Sequence, residues 1–235
     1  MFNKRIICIH STSDNALPVS QFRKYISWMI KLGYEFVSMD EILDETKSGK
    51  NVHLTVDDGY KTCVTALLPI LQEYGIKATF FVAPMLLGLE ANHPYLIDNS
   101  CYPNESTMTE DDVLLLRSYG HTIGYHTGSH VNLSKTDNAK VEDDFFNGLE
   151  VLKGMGIEVT KFAYPFGFLP KDKPFFEDIL KRSSISNAFT VQWGDVNHAS
   201  PYYINRVCLG DKEPLLWSVL KTIGAIDFYY NLKNK

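Results

Sequence analysis

Short runs of β-branched and apolar residues alternate with amphipathic helical patterns from one end of the chain to the other. The first pair sets the pattern, with a strand predicted over residues 5–9 and a helix over 18–32 whose apolar residues recur at helical spacing until Gly33. Such alternation predicts an α/β domain with a largely parallel sheet.

The remaining elements continue this alternation. Further strands are predicted over residues 52–56, 78–82, 122–125, 161–164, 187–191 and 203–207. Further helices are predicted over about 61–73, 109–118, 140–153, 173–182 and 213–230. No linker rich in Gly, Ser or Pro divides the chain, so we expect one domain over residues 1–235, built as a barrel or as a doubly wound open sheet. Both architectures place their chemistry at the carboxyl ends of the strands.

Residues 88–107 form the longest stretch without apolar periodicity, soon after the strand at 78–82. Long loops at the carboxyl end of a strand are often functional, but a tolerated surface insertion gives the same pattern. Both interpretations stay open.

Composition and charge exclude several classes of partner. With 23 Lys and Arg against 28 Asp and Glu, the net charge is −5, and no dense basic run predicts binding to nucleic acid or to an anionic membrane. No apolar stretch reaches the roughly 18 residues of a membrane-spanning helix, and no secretion signal is visible. The four cysteines are widely spread, which is typical of reduced thiols, so we expect a cytoplasmic protein, or an extracytoplasmic one if a leader has been removed.

Two adjacent carboxylates, Asp57 and Asp58, directly follow the strand at 52–56 and precede Gly59. Like charges this close raise one of the two pKa values unless a cation lies between them, so the pair suits a metal ligand beside a general base. An acidic turn that caps the next helix is the alternative interpretation.

Two histidines, His126 and His130, lie four residues apart after the strand at 122–125. On one helical turn this spacing puts both imidazoles on one side, within reach of a single ion, although two loop histidines can share the spacing by chance. Combined with the aspartates at another strand end, the pair favours a metal site with open positions for water.

A third motif, FAYPFG at residues 162–167, follows the strand at 161–164. Pro165 and Gly167 predict a turn, and a turn at this end of the sheet can direct a backbone N–H towards a developing oxyanion. A plain Pro-Gly turn without a role in chemistry is the alternative.

The ordered motifs resemble the polysaccharide deacetylase family, the NodB-homology domains of carbohydrate esterase family 4. The likeness covers nearly the whole chain, including residues 66–82 and 108–130. Residues 20–43 resemble the early helix and strand of the adhesin-type branch of this family. The likeness implies a distorted (β/α) barrel with about seven strands. It also implies removal of acetyl groups from an N-acetylated sugar of a polysaccharide, oligosaccharide or glycan precursor. The implied cofactor is a divalent metal, usually Zn²⁺, although Co²⁺, Ni²⁺ and Fe²⁺ suit the same ligands.

The resemblance assigns roles to the residues of the first two motifs. Asp57 matches the catalytic base of the family, and the metal ligands match Asp58, His126 and His130. In the third motif, the backbone N–H of Phe166 matches the group that helps to hold the oxyanion, and we place Tyr164 and Pro165 in substrate binding.

The chain departs from the family pattern at two positions near the ends of late strands. The Arg that opens the third motif of the family is replaced by Ala163. Arg206 is a candidate to orient Asp57 instead, and a salt bridge at the surface or the rim of the barrel is its alternative role. The Asp and Trp pair of the fourth motif has an altered order here, so Trp193 is assigned either to the floor of the sugar site or to the core.

The late histidine that supplies the general acid in the family has no match, and His198 is the nearest candidate. If the chain lacks an acid, an O-acetyl esterase on the same scaffold is the alternative function, because an alkoxide leaves more readily than an amine. A catalytically weak carbohydrate-binding relative is a further alternative.

Overall fold

The structure is a computed structural model, and it describes residues 3–196 and 200–227. The strands are β1 (Lys4–Ile9), β2 (Glu35–Phe36), β3 (Asn51–Val56), β4 (Ala78–Val82), β5 (Thr122–Tyr125), β6 (Lys161–Ala163), β7 (Asn187–Phe189) and β8 (Val207–Cys208). The α-helices are α1 (Val19–Lys31), α2 (Met39–Leu43), α3 (Leu68–Tyr74), α4 (Pro94–Asn99), α5 (Glu110–Ser118), α6 (Asn138–Gly154), α7 (Lys173–Arg182) and α8 (Leu215–Thr222). Among the described residues, none of these helices combines the length and apolar character that crossing a membrane requires.

All paired strands are parallel and follow the order β7-β6-β5-β4-β3-β1-β8, while β2 pairs with the first residues of β3. The last segment of the sheet reaches both of its edges, because Ile204 bridges Phe189 of β7 and Val207 pairs with Ile7 of β1. The sheet therefore curls into a distorted barrel with the helices around it. This confirms the barrel, and the open doubly wound sheet was the wrong alternative.

The two faces of the curled sheet pack in different apolar clusters. Residues of odd number in β1, such as Ile7 and Ile9, pack outwards against the helices in the larger apolar cluster. Inward-facing residues form a smaller cluster that includes Ile6, Phe81 and Phe189. This smaller cluster is the apolar plug inside the barrel. Polar side chains such as Asp57 and His126 lie beyond it, at the carboxyl ends of the strands.

Elements too short for periodicity account for most differences from the predictions. β2, α2 and α4 were missed, and α4 lies within residues 88–107, which were predicted to be irregular. The strand predicted at 203–207 is wrong, since the chain bends between its bridge to β7 and the two residues of β8. The last predicted helix, 213–230, is shorter within the described residues, because α8 ends before Gly224, which has a positive φ of 74°. Its last three residues, 228–230, lie outside the described part of the chain.

Candidate active site

A pocket of about 400 Å³ opens at the carboxyl ends of the strands, on the side of the barrel that the sequence predicts for chemistry. Its lining brings together the predicted residues Asp57, Asp58, His126, His130, Tyr164 and Phe166. These side chains come from loops that follow β3, β5 and β6, so the barrel alone makes them neighbours.

Asp58, His126 and His130 point their donor atoms at one another. Oδ1 of Asp58 lies 3.2 Å from Nε2 of His130 and 3.4 Å from Nε2 of His126. One ligand atom from each residue lies within 4.8 Å of the others. One carboxylate and two imidazoles in this arrangement are a donor set that suits a divalent transition metal and leaves positions open for water. The three residues therefore fit a metal ion.

The orientation of His126 is set by backbone groups on both sides. Its backbone N–H donates to Val82 O of β4 at 3.0 Å, and its Nδ1 lies 2.7 Å from Ala163 O of β6. A carbonyl accepts only from a protonated Nδ1, so Nε2 is the ring nitrogen that faces Asp58 and is left to bind a metal ion. The position that lacks the family Arg, Ala163, thus still has a role through its carbonyl.

The segment from His126 to His130 is a loop, and the helical turn suggested by the four-residue spacing is wrong. Thr127 and His130 have positive φ angles of 61° and 56°, which no right-handed helix permits. Asp144 of α6 holds the loop, because its carboxylate accepts the backbone N–H of Gly128 at 2.7 Å and that of Ser129 at 3.0 Å. The two imidazoles meet through this fold of the loop.

Asp57 forms a buried ion pair with Arg206. Nη1 and Nη2 of Arg206 each lie 2.8 Å from one carboxylate oxygen of Asp57, and Arg206 is fully buried. The guanidinium is itself positioned, since Nε donates to Thr190 O and Nη1 to Oγ1 of Thr55, both at 3.0 Å. A bidentate pair of this kind fixes the plane of the carboxylate. Arg206 does reach Asp57, as the sequence analysis proposed.

Both aspartates keep their negative charge despite burial. Burial raises the pKa of Asp57, but the Arg206 guanidinium outweighs this and holds the pKa below its ordinary value. For Asp58, burial acts in the same direction and is overcome by His130 and His126, so its pKa is well below the ordinary range. Each carboxylate thus has its own cationic or hydrogen-bonding partner, and neither needs to be protonated to relieve the other.

The third motif forms one wall of the pocket. Phe166 has a positive φ of 58°, and its half-exposed ring lies 4.4 Å from that of His130, centroid to centroid. Left-handed backbone at a bulky residue costs about 1–3 kcal/mol and is found mainly at functional sites. Tyr164 also lines the pocket, with its hydroxyl donating to Tyr202 O at 2.9 Å. Pro165 is buried in the turn and is outside the pocket lining.

One further predicted residue lies outside the pocket lining, and another falls outside the described residues. Trp193 is half-buried and outside the pocket lining, with Nζ of Lys221 5.2 Å from its ring centroid. The assignment of Trp193 to the floor of the sugar site stays a prediction. His198 lies outside the described residues.

The sequence reasoning missed His10, which lines the pocket beside Asp57. Burial lowers the pKa of His10, but the charges of Asp58, Cys208 and Asp57 raise it more, so the pKa is above the ordinary value. The rule used for the other motifs applies to this residue too, because His10 directly follows strand β1 at its carboxyl end.

Residues 88–107 contribute the opposite wall. Tyr95 and Tyr102 of this segment line the pocket, and their hydroxyls donate to Ser129 O and to the carboxylate of Asp211. Glu105 anchors the segment, since it accepts the Ser11 hydroxyl at 2.6 Å. The functional interpretation of this segment therefore agrees with the structure better than a surface insertion.

Comparison with known proteins identifies what the chain resembles. A family model described as polysaccharide deacetylase matches residues 44–181, which is more than half of the chain. A peptidoglycan-N-acetylglucosamine deacetylase of Bacillus cereus is 30% identical over 169 residues, or 71% of this chain and 50% of that protein. The chain spans about half the length of the curated relatives it matches.

Solved structures share the fold. The structure of IcaB from Ammonifex degensii has a TM-score of 0.79 and 21% identity, covering 94% of this chain and 96% of that one. The Streptococcus pyogenes deacetylase PplD, solved in complex with acetate, has a TM-score of 0.74 and 19% identity, with 93% and 97% covered. These likenesses support the barrel fold.

Proposed function

Because the chain belongs to the polysaccharide deacetylase family, we propose that it removes the acetyl group from an N-acetylated sugar of a polysaccharide, oligosaccharide or glycan precursor. The observation that carries the proposal is the convergence of Asp57, Asp58, His126 and His130 at one pocket. The peptidoglycan and chitooligosaccharide deacetylases among the relatives support an amide of an amino sugar as the bond that is cleaved.

The proposed cofactor is a divalent metal, most simply Zn²⁺, held by Asp58, His126 and His130. When bound, such an ion polarises the acetyl carbonyl and makes a water molecule more acidic. The chain supplies one charged and two neutral ligands. Nε2 of His126 is oriented for this by Ala163 O.

Asp57 is the proposed general base. Its carboxylate is held in one plane by Arg206, and Oδ2 lies 4.0 Å from Nε2 of His126, so it is adjacent to the metal ligands. Because its pKa lies below the ordinary value, the Asp57 carboxylate is ionised, which a group that accepts a proton from the attacking water must be. The backbone N–H of Phe166 is proposed to donate to the oxyanion that forms on the acetyl carbonyl.

His10 is the proposed general acid, which protonates the departing amine. It lies in the pocket next to both aspartates, and its raised pKa favours the protonated ring that an acid needs. A histidine in this position removes the reason for preferring an O-acetyl esterase, which rested on the lack of an acid. It replaces His198 as our candidate.

The walls of the pocket suit a sugar ring. Phe166 and Tyr95 present aromatic surface around the reacting groups, and pyranose faces pack on aromatic rings. These side chains are proposed to hold the sugar while the acetyl group enters between Asp57 and the metal ligands.

Acetate release from N-acetylglucosamine oligomers with added Zn²⁺ tests the function. We expect turnover by the native chain, and a loss of about 10²–10⁴-fold in Asp57→Asn, because general-base catalysis contributes that much. Asp57→Asn should still bind metal, which separates a lost base from a lost fold. If the native chain released no acetate from any N-acetylated oligosaccharide, or if Asp57→Asn were as active, the proposal would be refuted.

A further inference from the structure

Two cysteines face each other across the strands that close the barrel. Cys8 of β1 and Cys208 of β8 are direct partners in a parallel register. Neighbouring strands lie about 4.8 Å apart, which is within the Cα separation of disulfide-bonded residues. Register partners also project to the same face of the sheet. The pair is therefore placed for a disulfide without any change of strand order.

The thiol pair lies in the floor of the active site. Sγ of Cys8 lies 3.3 Å from Oδ2 of Asp57, and Cys8 is fully buried. Cys208 is half-buried and lines the pocket, so a small molecule that enters the pocket meets Cys208 first. The chemistry of these sulfurs is thus linked by one contact to the proposed base.

We propose that Cys8 and Cys208 form a thiol-oxidation site that a hydroperoxide, such as hydrogen peroxide, converts into a disulfide, and that the disulfide slows deacetylation. The first half of the proposal concerns the thiols alone. The second half rests on the proposed function.

The oxidation takes two balanced steps. The Cys208 thiolate attacks one peroxide oxygen, the O–O bond breaks, and Cys208 becomes a sulfenic acid while the other oxygen leaves as water after protonation. The Cys8 sulfur then attacks the Cys208 sulfur, the S–O bond breaks, a second water leaves and the S–S bond forms. Overall, two thiols and one peroxide give one disulfide and two waters. Cys208 is the first nucleophile because it lines the pocket, whereas Cys8 is fully buried.

The expected consequence follows from the contact with Asp57. A disulfide sulfur has no proton, so the S–H of Cys8 is no longer available to Oδ2 of Asp57. Losing one hydrogen bond to a charged group corresponds to a fall in rate of about tenfold. The metal ligands are not altered by this change.

The experiment treats the native chain, Cys8→Ser, Cys208→Ser and Cys101→Ser with hydrogen peroxide and removes the excess before assay. Cys101→Ser is the matched control, since Cys101 is an exposed cysteine that also borders the pocket but has no strand partner. Peptide mapping without reduction locates any disulfide, and each protein's acetate release is compared with its own untreated rate. We expect a Cys8–Cys208 peptide and a fall of about tenfold, reversed by dithiothreitol, in the native chain and in Cys101→Ser.

Neither serine variant of the pair should form that peptide or show the reversible loss. A disulfide through Cys101, or sulfinic acid at Cys208 without a disulfide, would overturn the site. A Cys8–Cys208 disulfide with an unchanged rate would overturn its effect on catalysis. If the untreated native chain released no acetate, the proposed function would fail, whereas the peptide map would still decide the oxidation site.

Discussion

At the scale of single residues, Arg206 is the residue that holds the carboxylate of the proposed base, Asp57, in place and lowers its pKa. It approaches Asp57 from a late segment of the chain, 149 positions away in sequence, and both side chains are buried. The guanidinium also lies 5.2 Å above the ring of Phe81, so the apolar plug of the barrel supports it from below. Arg206 thus supplies a positive charge beside the Asp57 carboxylate and fixes its plane.

Replacing Arg206 with Met should move the acid limb of the pH–rate profile to higher pH. Asp57 works as a base only when ionised, and Arg206 holds its pKa below the ordinary value against the effect of burial. Without the guanidinium, burial raises the pKa, so activity is lost at a higher pH as the solution is acidified. Breaking a buried pair should also cost about 3–5 kcal/mol of the free energy of unfolding.

Arg206→Lys is the control, because it keeps a positive charge but loses the bidentate contact, and its acid limb should move less. The measurement is acetate release between acid and neutral pH for the three proteins. An unchanged acid limb in Arg206→Met would show that Arg206 does not act on the base.

The sequence reasoning recovered residues that follow a long, clear strand and missed those that lack a distinctive motif. Asp57 and Asp58 directly follow β3, and His126 directly follows β5 with His130 four residues later. Arg206 could be predicted because the position of the family Arg is Ala163 here, and because Arg206 lies near the end of a predicted strand. His10 was missed because a single histidine after a strand has no spacing pattern of its own, and its role depends on neighbours that only the closed barrel provides.

At the scale of elements, the packing of α6 against the histidine loop controls the metal ligands. Gly148 of α6 faces Gly128 of the loop, and a Cβ on Gly148 would lie 2.3 Å from the Tyr125 hydroxyl and 2.4 Å from the Gly128 Cα. No side chain fits between these backbones. The close approach also brings Asp144 within hydrogen-bonding distance of the loop.

Gly148→Ala should therefore weaken metal binding and lower the midpoint of thermal unfolding, because the added methyl group pushes the loop away from α6. Overpacking of this kind typically costs about 1–3 kcal/mol. Gly154→Ala is the matched control, since Gly154 ends the same helix and a Cβ there meets nothing within 4 Å. That substitution should be neutral or slightly stabilising, because Ala favours a helix more than Gly.

The measurement is Zn²⁺ titration by calorimetry, together with thermal unfolding of each variant. Equal zinc affinity in the two glycine variants would mean that the packing of α6 does not position the ligands.

Long elements were predicted well, and local loop geometry was not. The strands Ala78–Val82 and Thr122–Tyr125 and the helix Lys173–Arg182 match their predicted bounds, because each has a full apolar pattern. The loop after β5 depends instead on left-handed residues at Thr127 and His130, which side-chain spacing does not report. Their strain is sustained by contacts with α6, far away in sequence.

At the scale of the whole molecule, the two ends of the barrel are held by different buried ion pairs. Asp57 and Arg206 lie at the end with the pocket. Near the start of β1, Nη1 of Arg5 lies 2.8 Å from Oδ2 of Asp227, and Nη2 donates to Lys221 O of α8 at 2.7 Å. This second pair ties α8 to the barrel far from the pocket.

Asp227→Asn should destabilise the fold without altering the site. Removing one charge of a buried pair costs about 3–5 kcal/mol, and urea unfolding should show it as a lower midpoint. The rate of acetate release per folded molecule should stay the same, because Arg5 and Asp227 do not touch the pocket. Glu150→Gln, which removes an exposed pair with Lys153, is the control and should change the midpoint little. A midpoint as high in Asp227→Asn as in the native chain would mean that the pair does not stabilise the closure.

The barrel was predicted through the family resemblance, since alternation of strands and helices alone left an open sheet equally possible. Closure depends on Ile204, Val207 and Cys208, three residues in a segment too short to be recognised as a strand pair. One domain over the whole chain, a cytoplasmic location and the adhesin-type branch remain predictions.

Metal removal and restoration tests the central claim most directly. After treatment with a chelator and dialysis, the chain should release no acetate from an N-acetylglucosamine oligomer, and added Zn²⁺ should restore the rate. His126→Ala combined with His130→Ala should stay inactive with zinc while remaining folded by circular dichroism. Acetate release by the metal-free chain, or full recovery in the double variant, would contradict a metal-dependent deacetylase built on Asp58, His126 and His130.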